Sequence, residues 1–490
     1  MTLFGGRQFP FANLDRTYIR GAAVVRIEPI LSQFCCAASV SYAYFPALIA
    51  LNDPEKIVRN NILVVGAYGL IGYGVSSKLI AGGCKVTGLG RNAQLGRRVL
   101  PGVPWIEADV QTLCDEWSWH AILEDFSTVV NCSGALQDSP DDDLEAIHHL
   151  SVKALAQACA AKDIALIQIS AVGATPDAST RFLATKGRGD AAIRAVAGKW
   201  HIFRPGLVLA QNAYGGTTML RMLAAFPICQ PIASPEAEVQ TVALDYVAEV
   251  VLAATQAKIA YGVDVDLVES KAHTLRDLVA DMRGWLGFSP AKLELAAPNL
   301  VVRVVSKTAD SLAWLGWRSP LRSTAIKVLT EGVLGKPADL SQFGLPPAPT
   351  LKQTLKGLRV GGQDRLFARI ALLFPFILLC LSLFWLTSGI VGIVRLNEAA
   401  QVLREVGWSA GLAMTSVYFW SLVDIIIGIG FAFRRYAYSA CWAAVGVSVL
   451  YLVASTFTVP FLWLDPLGPL VKVVPSIALA LVARAALDTR

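Results

Sequence analysis

The sequence predicts an α/β domain on a doubly wound parallel sheet, followed by an all-α bundle of four membrane-spanning helices. Three observations carry this. An apolar strand, Ile62–Val65, runs into a glycine-spaced turn, and further apolar strands recur with helical stretches between them. Hydrophobic residues make up 54% of the 490 residues and charged residues only 16%, where soluble domains average about 45–50% and about 25%. With a mean hydropathy of +0.51, the excess is concentrated in long uncharged runs after residue 362.

The turn after the first strand reads Gly66-Ala-Tyr68-Gly69-Leu70-Ile71-Gly72. Gly66 permits a tight turn, Gly69 lets the backbone approach a pyrophosphate, and Gly72 lets the following helix pack on the strand. The helix N-terminus offers unpaired N–H groups and the positive end of its dipole to an anion. This is the start of a Rossmann βαβ unit with G-x-x-G-x-x-G spacing. A second strand, Cys84–Leu89, ends at Gly90-Arg91 with no carboxylate in the position that would accept from a ribose 2′-hydroxyl. Arg91 could instead pair with a 2′-phosphate, which favours NADP(H) and leaves NAD(H) possible. A third strand, Val103–Ala108, delivers Asp109 toward the adenine edge. A fourth, Ser127–Val130, enters Asn131-Cys132-Ser133-Gly134-Ala135, a small-residue turn suited to the nicotinamide half. A fifth, Ala165–Ile169, ends at Ser170. Strands alternating with helices imply a parallel sheet covered on both faces.

With these pieces in order, residues 58 to about 346 resemble an atypical, extended short-chain dehydrogenase/reductase. Phe182-Leu-Ala-Thr-Lys186 and Arg204-Pro205-Gly206 add to the likeness, as do Gln240 to Glu249 and Thr274-Leu-Arg-Asp-Leu. The resemblance implies cofactor contacts from Gly66, Tyr68, Gly69, Leu70, Ile71, Gly72, Arg91, Asp109, Ser133, Gly134, Ala135, Lys186, Arg204, Pro205 and Gly206. It implies catalytic roles for Lys186 and Ser170. One departure matters. The family's pair is Tyr-x-x-x-Lys, two side chains one helical turn apart, in which the phenol transfers the proton as hydride moves. Here the tyrosine position is Phe182, and a phenyl ring transfers no proton. Lys186 can still anchor the ribose, or act as an acid if burial depresses its pKa. Tyr214 could stand in, or be a packed loop aromatic. Relatives of this kind include NmrA-like redox sensors, isoflavone-reductase-like enzymes and the nucleotide-binding accessory subunit of respiratory complex I. Binding without turnover is therefore an alternative to catalysis.

Four C-terminal segments read as spans: residues 367–394, 411–433, 439–459 and a shorter 470–487 with Lys472 and Pro475 at its start; about 20 apolar residues suffice to cross a bilayer. Gln363 to Arg369, Phe384 to Gly389 and Trp463 to Lys472 resemble the DoxX-like four-helix membrane domain often joined to such reductases. Asp424 lies inside the second span, where a carboxylate is a functional candidate or an interhelical glue residue. Arg365, Arg369, Arg434, Arg435, Arg484 and Arg490 fall on one side of a four-span bundle and Arg395, Arg404 and Lys472 on the other. The positive-inside rule then puts the N-terminal domain in the cytoplasm, at a multi-pass inner membrane.

The expected organisation is an extension over 1–57, a nucleotide-binding domain over 58–298, a connector over 299–362 and the membrane domain over 363–490. Trp314, Trp317, Arg318 and Arg322 in the connector suggest either a membrane-facing amphipathic surface or packing on the core; Gly344 to Pro349 reads as a hinge. The extension carries Arg7, Arg16, Arg20 and Arg26 against Asp15, then an uncharged run from Leu31 to Leu51. It reads as a further membrane segment, an organelle-targeting-like peptide or an extension from an upstream start, and the favoured expectation is a poorly ordered or loosely membrane-associated extension. A secretory signal fits poorly, since the basic region is too long.

Nine cysteines and five histidines show no ligand spacing, so no metal site is expected. His148 and His149 read as surface helix positions. The net charge of +6 suits an anionic membrane face better than nucleic acid, for which no motif is present. The expected partners are the bilayer and a lipophilic small molecule or a membrane protein.

Overall fold

The computed structural model describes residues 61–466 and 468–488. The extension over 1–57 lies outside these residues. Seven strands form one parallel sheet: β1 (Asn61–Val65), β2 (Lys85–Gly90), β3 (Trp105–Glu107), β4 (Thr128–Asn131), β5 (Ala165–Ile169), β6 (Trp200–Pro205) and β7 (Val263–Leu267), in the order β7-β6-β5-β4-β1-β2-β3. Both faces of β1 are buried. Ile62 and Val64 point into one apolar cluster and Leu63 and Val65 into another, which is why this strand is apolar at every position rather than alternating. The strand order reverses between β1 and β4, where Val65 pairs with Asn131. In open parallel sheets such a switch point leaves a crevice at the carboxyl ends of the strands.

The sequence did not point to β7. Its Val-Asp-Val-Asp-Leu alternation lacks the continuous apolar run of a buried parallel strand. It sits at the sheet edge, where Asp264 and Asp266 pair with Arg204 on β6.

Helix α1 (Leu70–Ala81) follows the glycine turn, and α2 (Ser151–Ala161) and α3 (Arg181–Arg194) flank β5 in sequence. A smaller lobe contains α4 (Gly216–Ala224) and α6 (Leu275–Trp285), with α5 (Leu244–Thr255) packed on α1 beside the sheet. Thr274 caps α6 by accepting from the Asp277 amide at 3.1 Å.

The connector is packed. Its helix α7 (Asn299–Trp314) keeps Leu300, Val301, Val304, Val305 and Trp314 exposed. Beyond it, the Trp317 indole donates to Ala432 O at 2.7 Å, and Arg318 and Arg322 reach back to Asp142 and the Asp138 carbonyl. Packing on the core therefore holds for Trp317, Arg318 and Arg322, while Trp314 is exposed. The expected hinge is anchored as well, with Leu340 and Leu345 buried in the core of the sheet domain.

The membrane region comprises α8 (Gly362–Val394), a short α9 (Leu396–Glu405), α10 (Ala410–Ala432), α11 (Arg434–Thr458) and α12 (Val473–Asp488). Three of these, α8, α10 and α11, are long and apolar enough to cross a membrane. The fourth expected span is a 16-residue helix, about 24 Å at 1.5 Å per residue against a hydrocarbon core of about 30 Å. Small residues bring α8 and α10 together: a Cβ on Gly389 would meet Ser421 O at 2.4 Å, and Ser382 donates to Gly428 O at 2.8 Å. The Asp424 carboxylate accepts from Ser388 at 2.7 Å between the same helices.

The two regions meet through a buried ion pair. Arg221 on α4 donates to Asp364 in the first turn of α8 at 3.2 Å, with both side chains under 10% exposed. Arg434 N donates to Leu315 O at 2.9 Å, and Arg484 to the Tyr438 hydroxyl at 2.6 Å. The arginine-bearing ends of α8, α11 and α12 thus gather at the end of the bundle that faces the sheet domain.

Candidate functional site

The glycine turn has the geometry its spacing demands. Gly66 adopts φ +74° and donates its N–H to Leu89 O at 2.8 Å. A Cβ at Gly72 would lie 2.2 Å from Gly66 O, so only glycine lets α1 start this close to the strand. Leu70 and Ile71 pack on the core of one sheet face. The Tyr68 ring stacks on Trp105, centroids 5.8 Å apart, and covers Gly90 at the end of β2.

Arg91 departs from expectation. It lies 2.9 Å from Asp142 and donates to the Asp141 carbonyl at 2.8 Å, so it has an acidic partner that sequence spacing did not reveal. Asp142 is shared with Arg318 at 3.2 Å, so two guanidiniums face one carboxylate. Asp109 is engaged locally, accepting from the Gln111 amide and side chain at 3.2 and 2.8 Å. Arg204 is turned to Asp264 and Asp266 at the sheet edge, which gives its side chain a structural task. Pro205 and Gly206 contribute backbone; a Cβ at Gly206 would meet Gln240 O at 2.6 Å.

Around the β4 turn, Asn131 Oδ1 accepts from the Ser133 amide and hydroxyl at 3.1 and 2.6 Å. The Ala135 N–H donates to His148 Nε2 at 3.1 Å. His148 is therefore not a surface residue. It is 2% exposed, on a π-helical turn over Ala146–Leu150 that leads into α2. Since Nε2 accepts, the proton sits on Nδ1, which donates to Thr185 Oγ1 at 2.9 Å, and Thr185 in turn donates to Phe182 O. Burial and the nearby Lys186 hold the imidazole well below its ordinary pKa, so it stays neutral at pH 7. His148 belongs to the site and was missed. The signal for it was Gly189 inside a helix, a costly residue there: a Cβ at that position would lie 2.1 Å from His148 O. The close approach lets α3 press on the π-turn.

Lys186 is 6% exposed and donates to Ile169 O at 3.2 Å, with the Phe182 ring 5.8 Å from its ammonium. Its Nζ is 3.7 Å from where a Gly134 Cβ would stand, so it lies beside the β4 turn. Burial lowers its pKa, and Asp190 opposes that shift. Ser170 donates to Asp190 at 2.6 Å; burial pushes that carboxyl up to about 6. Ser170 is thus committed to a buried carboxylate two turns beyond Phe182. Phe182 is half-buried, edge-on to His148 at 5.6 Å. Tyr214 is exposed on the loop before α4.

The site therefore combines a tight glycine turn opening α1 with a buried ammonium and neutral imidazole beside the β4 turn, and no phenol at position 182. Residues 62–189 match the NAD dependent epimerase/dehydratase family. Residues 382–481 match the DoxX-like family. The first match spans the cradle, the β4 turn and Lys186; the second spans most of the long apolar helices. Similar solved structures include UDP-glucose 4-epimerase of Thermus thermophilus in complex with NAD, at 18% identity, covering 60% of this chain and 96% of that one with a TM-score of 0.45. WbmG of Bordetella bronchiseptica in complex with NAD is 17% identical over 61% of this chain and 92% of that one, TM-score 0.46. Pal from Bacillus thuringiensis is 14% identical over 60% and 96%, TM-score 0.46. No curated protein matches the chain.

Proposed function

We propose that this chain is a membrane-anchored, NADP(H)-binding oxidoreductase of the atypical short-chain type, acting on a lipophilic carbonyl or quinone-like substrate. The observation that carries the reading is the cradle of Gly66, Gly69 and Gly72 facing, across the β1–β4 switch point, a turn beside which Lys186 is buried. A nicotinamide cofactor bound there supplies a hydride. The chain's own part is to hold the diphosphate on the α1 N-terminus and the ribose on Lys186, with Ser133, Gly134 and Ala135 beneath the nicotinamide half. The domain organisation proposed from sequence fits this division of labour. A second reading, a non-catalytic NADPH-dependent redox sensor or assembly factor, is favoured by Phe182, which leaves the site without the phenol that protonates the oxygen of a carbonyl substrate as hydride adds to its carbon. NADPH oxidation by the purified full chain, screened against quinones and membrane extracts, separates the two: turnover with any acceptor removes the second reading, and binding without turnover removes the first.

Cofactor choice rests on Arg91 and Arg318, which flank Asp142 with Asp109 also close to Arg91, so a 2′-phosphate would compete with these carboxylates for the Arg91 guanidinium. NADPH should bind about tenfold more tightly than NADH, since a charge-assisted contact contributes about 1.5–3 kcal/mol and Asp142 shares it. Arg91→Ala should level the two affinities in a fluorescence titration, while Lys186→Ala should weaken both by about tenfold or more. Equal binding of both nucleotides with no response to Arg91→Ala would end the NADP preference.

For orientation, the arginines gathered at the sheet-domain end of the bundle support a cytoplasmic Rossmann domain at an inner membrane. A reporter fused after Arg490 is expected to read as cytoplasmic; an external signal would reverse the orientation or change the number of crossings.

A further inference from the structure

Where the smaller lobe meets the first membrane helix there is a cavity of about 230 Å³, lined by Phe226, Pro227, Arg283, Phe288, Ser289 and Arg369 among others. Arg283 is 6% exposed, yet its acceptors are all neutral: the carbonyls of Ala224 and Phe226 at 2.6 and 2.7 Å and that of Ser289. Arg369, on α8, lies 5.2 Å from the centre of the Phe288 ring, and Arg283 approaches the same ring at 5.8 Å. Arg365, one turn earlier on α8, comes within 3.7 Å of the position a Gly287 Cβ would take. Among the described residues no carboxylate lies within ion-pairing distance of any of these three guanidiniums. The contrast is Arg221 nearby, equally buried and neutralised by Asp364. A buried charge without a counter-charge is costly, and guanidinium does not lose its proton.

We infer that this cavity binds the phosphodiester headgroup of an anionic phospholipid. The missing negative charge sets the ligand class, because two guanidiniums line the cavity, that of Arg283 buried and that of Arg369 on α8, with Arg365 close by, and together they fit a phosphate oxyanion. The surroundings set the source. Arg369 shares one face of α8 with Leu366 and Leu373, at i, i+3 and i+7, and both leucines are exposed, as is Phe376 beyond them. A phosphate in the cavity therefore leaves its acyl chains along an outward apolar stripe of a helix long enough to cross the bilayer. Basic pockets at this depth suit anionic headgroups. Because the walls come from the smaller lobe and from α8 together, an occupied cavity would tie the reductase lobe to the lipid leaflet.

The test uses the full chain in a neutral detergent, with bound lipid counted by native mass spectrometry during titration with dioleoyl phosphatidylglycerol, dioleoyl phosphatidylcholine or inorganic phosphate. Phosphatidylglycerol is expected to bind at least about tenfold more tightly than phosphatidylcholine, and Arg365→Gln/Arg369→Gln to remove that preference. Both positions are exposed, so folding should survive; an unchanged melting temperature confirms it, and Arg369→Lys should retain part of the binding. Arg404→Gln, at the other end of the bundle, should change nothing. Equal binding of the two lipids, or a preference untouched by the double substitution, overturns the proposal. Displacement of the lipid by inorganic phosphate at equal concentration also overturns it, by assigning the cavity to a soluble anion.

Discussion

Phe182→Tyr is expected to raise carbonyl reduction by about 10²–10⁴-fold, the usual contribution of a positioned general acid. Phe182 begins α3 one turn before Lys186, and its ring already lies 5.8 Å from the Lys186 ammonium. A hydroxyl on that ring would stand beside a cation, which lowers a phenol's pKa toward the working range. The ring is half-buried, so the substitution adds one oxygen without opening a void. Ser170 gives no help, because its hydroxyl is committed to Asp190. The gain should therefore fall toward the lower end of the range, and adding Asp190→Ala, which removes the acceptor, should raise it by releasing the serine. The measurement is turnover of wild type and Phe182→Tyr on one panel of lipophilic carbonyls. If the wild type turns over strongly and the substitution brings no improvement, another group supplies the proton and the reading of position 182 is wrong.

Asp364→Ala should destabilise the full chain by about 3–5 kcal/mol, the usual cost of removing one partner of a buried ion pair. Arg221 would keep its bonds to the carbonyls of Ala210 and Gln211 and its stacking on Trp285 at 4.9 Å. It would lose its counter-charge in a site where each side chain is under 10% exposed. Asp364 also accepts from Gly361 N at 2.9 Å, so a helix cap goes with it. For a domain of 150–250 residues, about 2–4 °C per kcal/mol makes this a fall of about 6–20 °C in the melting of the sheet domain. Replacing both partners by apolar residues, Arg221→Met with Asp364→Leu, should recover most of the loss, because the pair's own desolvation cost disappears with it. Tryptophan fluorescence during heating in detergent gives both values. A single variant as stable as the wild type would mean that water reaches the pair and that the two regions are joined by other contacts.

What the residues determined alone was the local and the periodic. Ile62–Val65 and the glycine spacing after it fix a strand, a turn and a helix start, because backbone sterics at Gly66 and Gly72 admit no other residue. The apolar runs fix the long helices, because charge is costly in hydrocarbon and about 20 residues set the length. The identity of Phe182 was likewise readable from its four-residue distance to Lys186. What the tertiary structure decided was the partnership of charges and the burial of polar groups distant in sequence. Arg91 looked free until the chain brought Asp142 beside it, and Arg204 was claimed by two aspartates of an edge strand whose polar alternation hides it. His148 sits in a polar stretch that reads as surface; only the close approach of α3 at Gly189 buries it against the β4 turn. The union of Arg221 with Asp364, 143 residues apart, is likewise a product of packing. Periodicity and steric rules act over a few residues and so are written in the sequence, whereas ion pairing and desolvation depend on which surfaces meet.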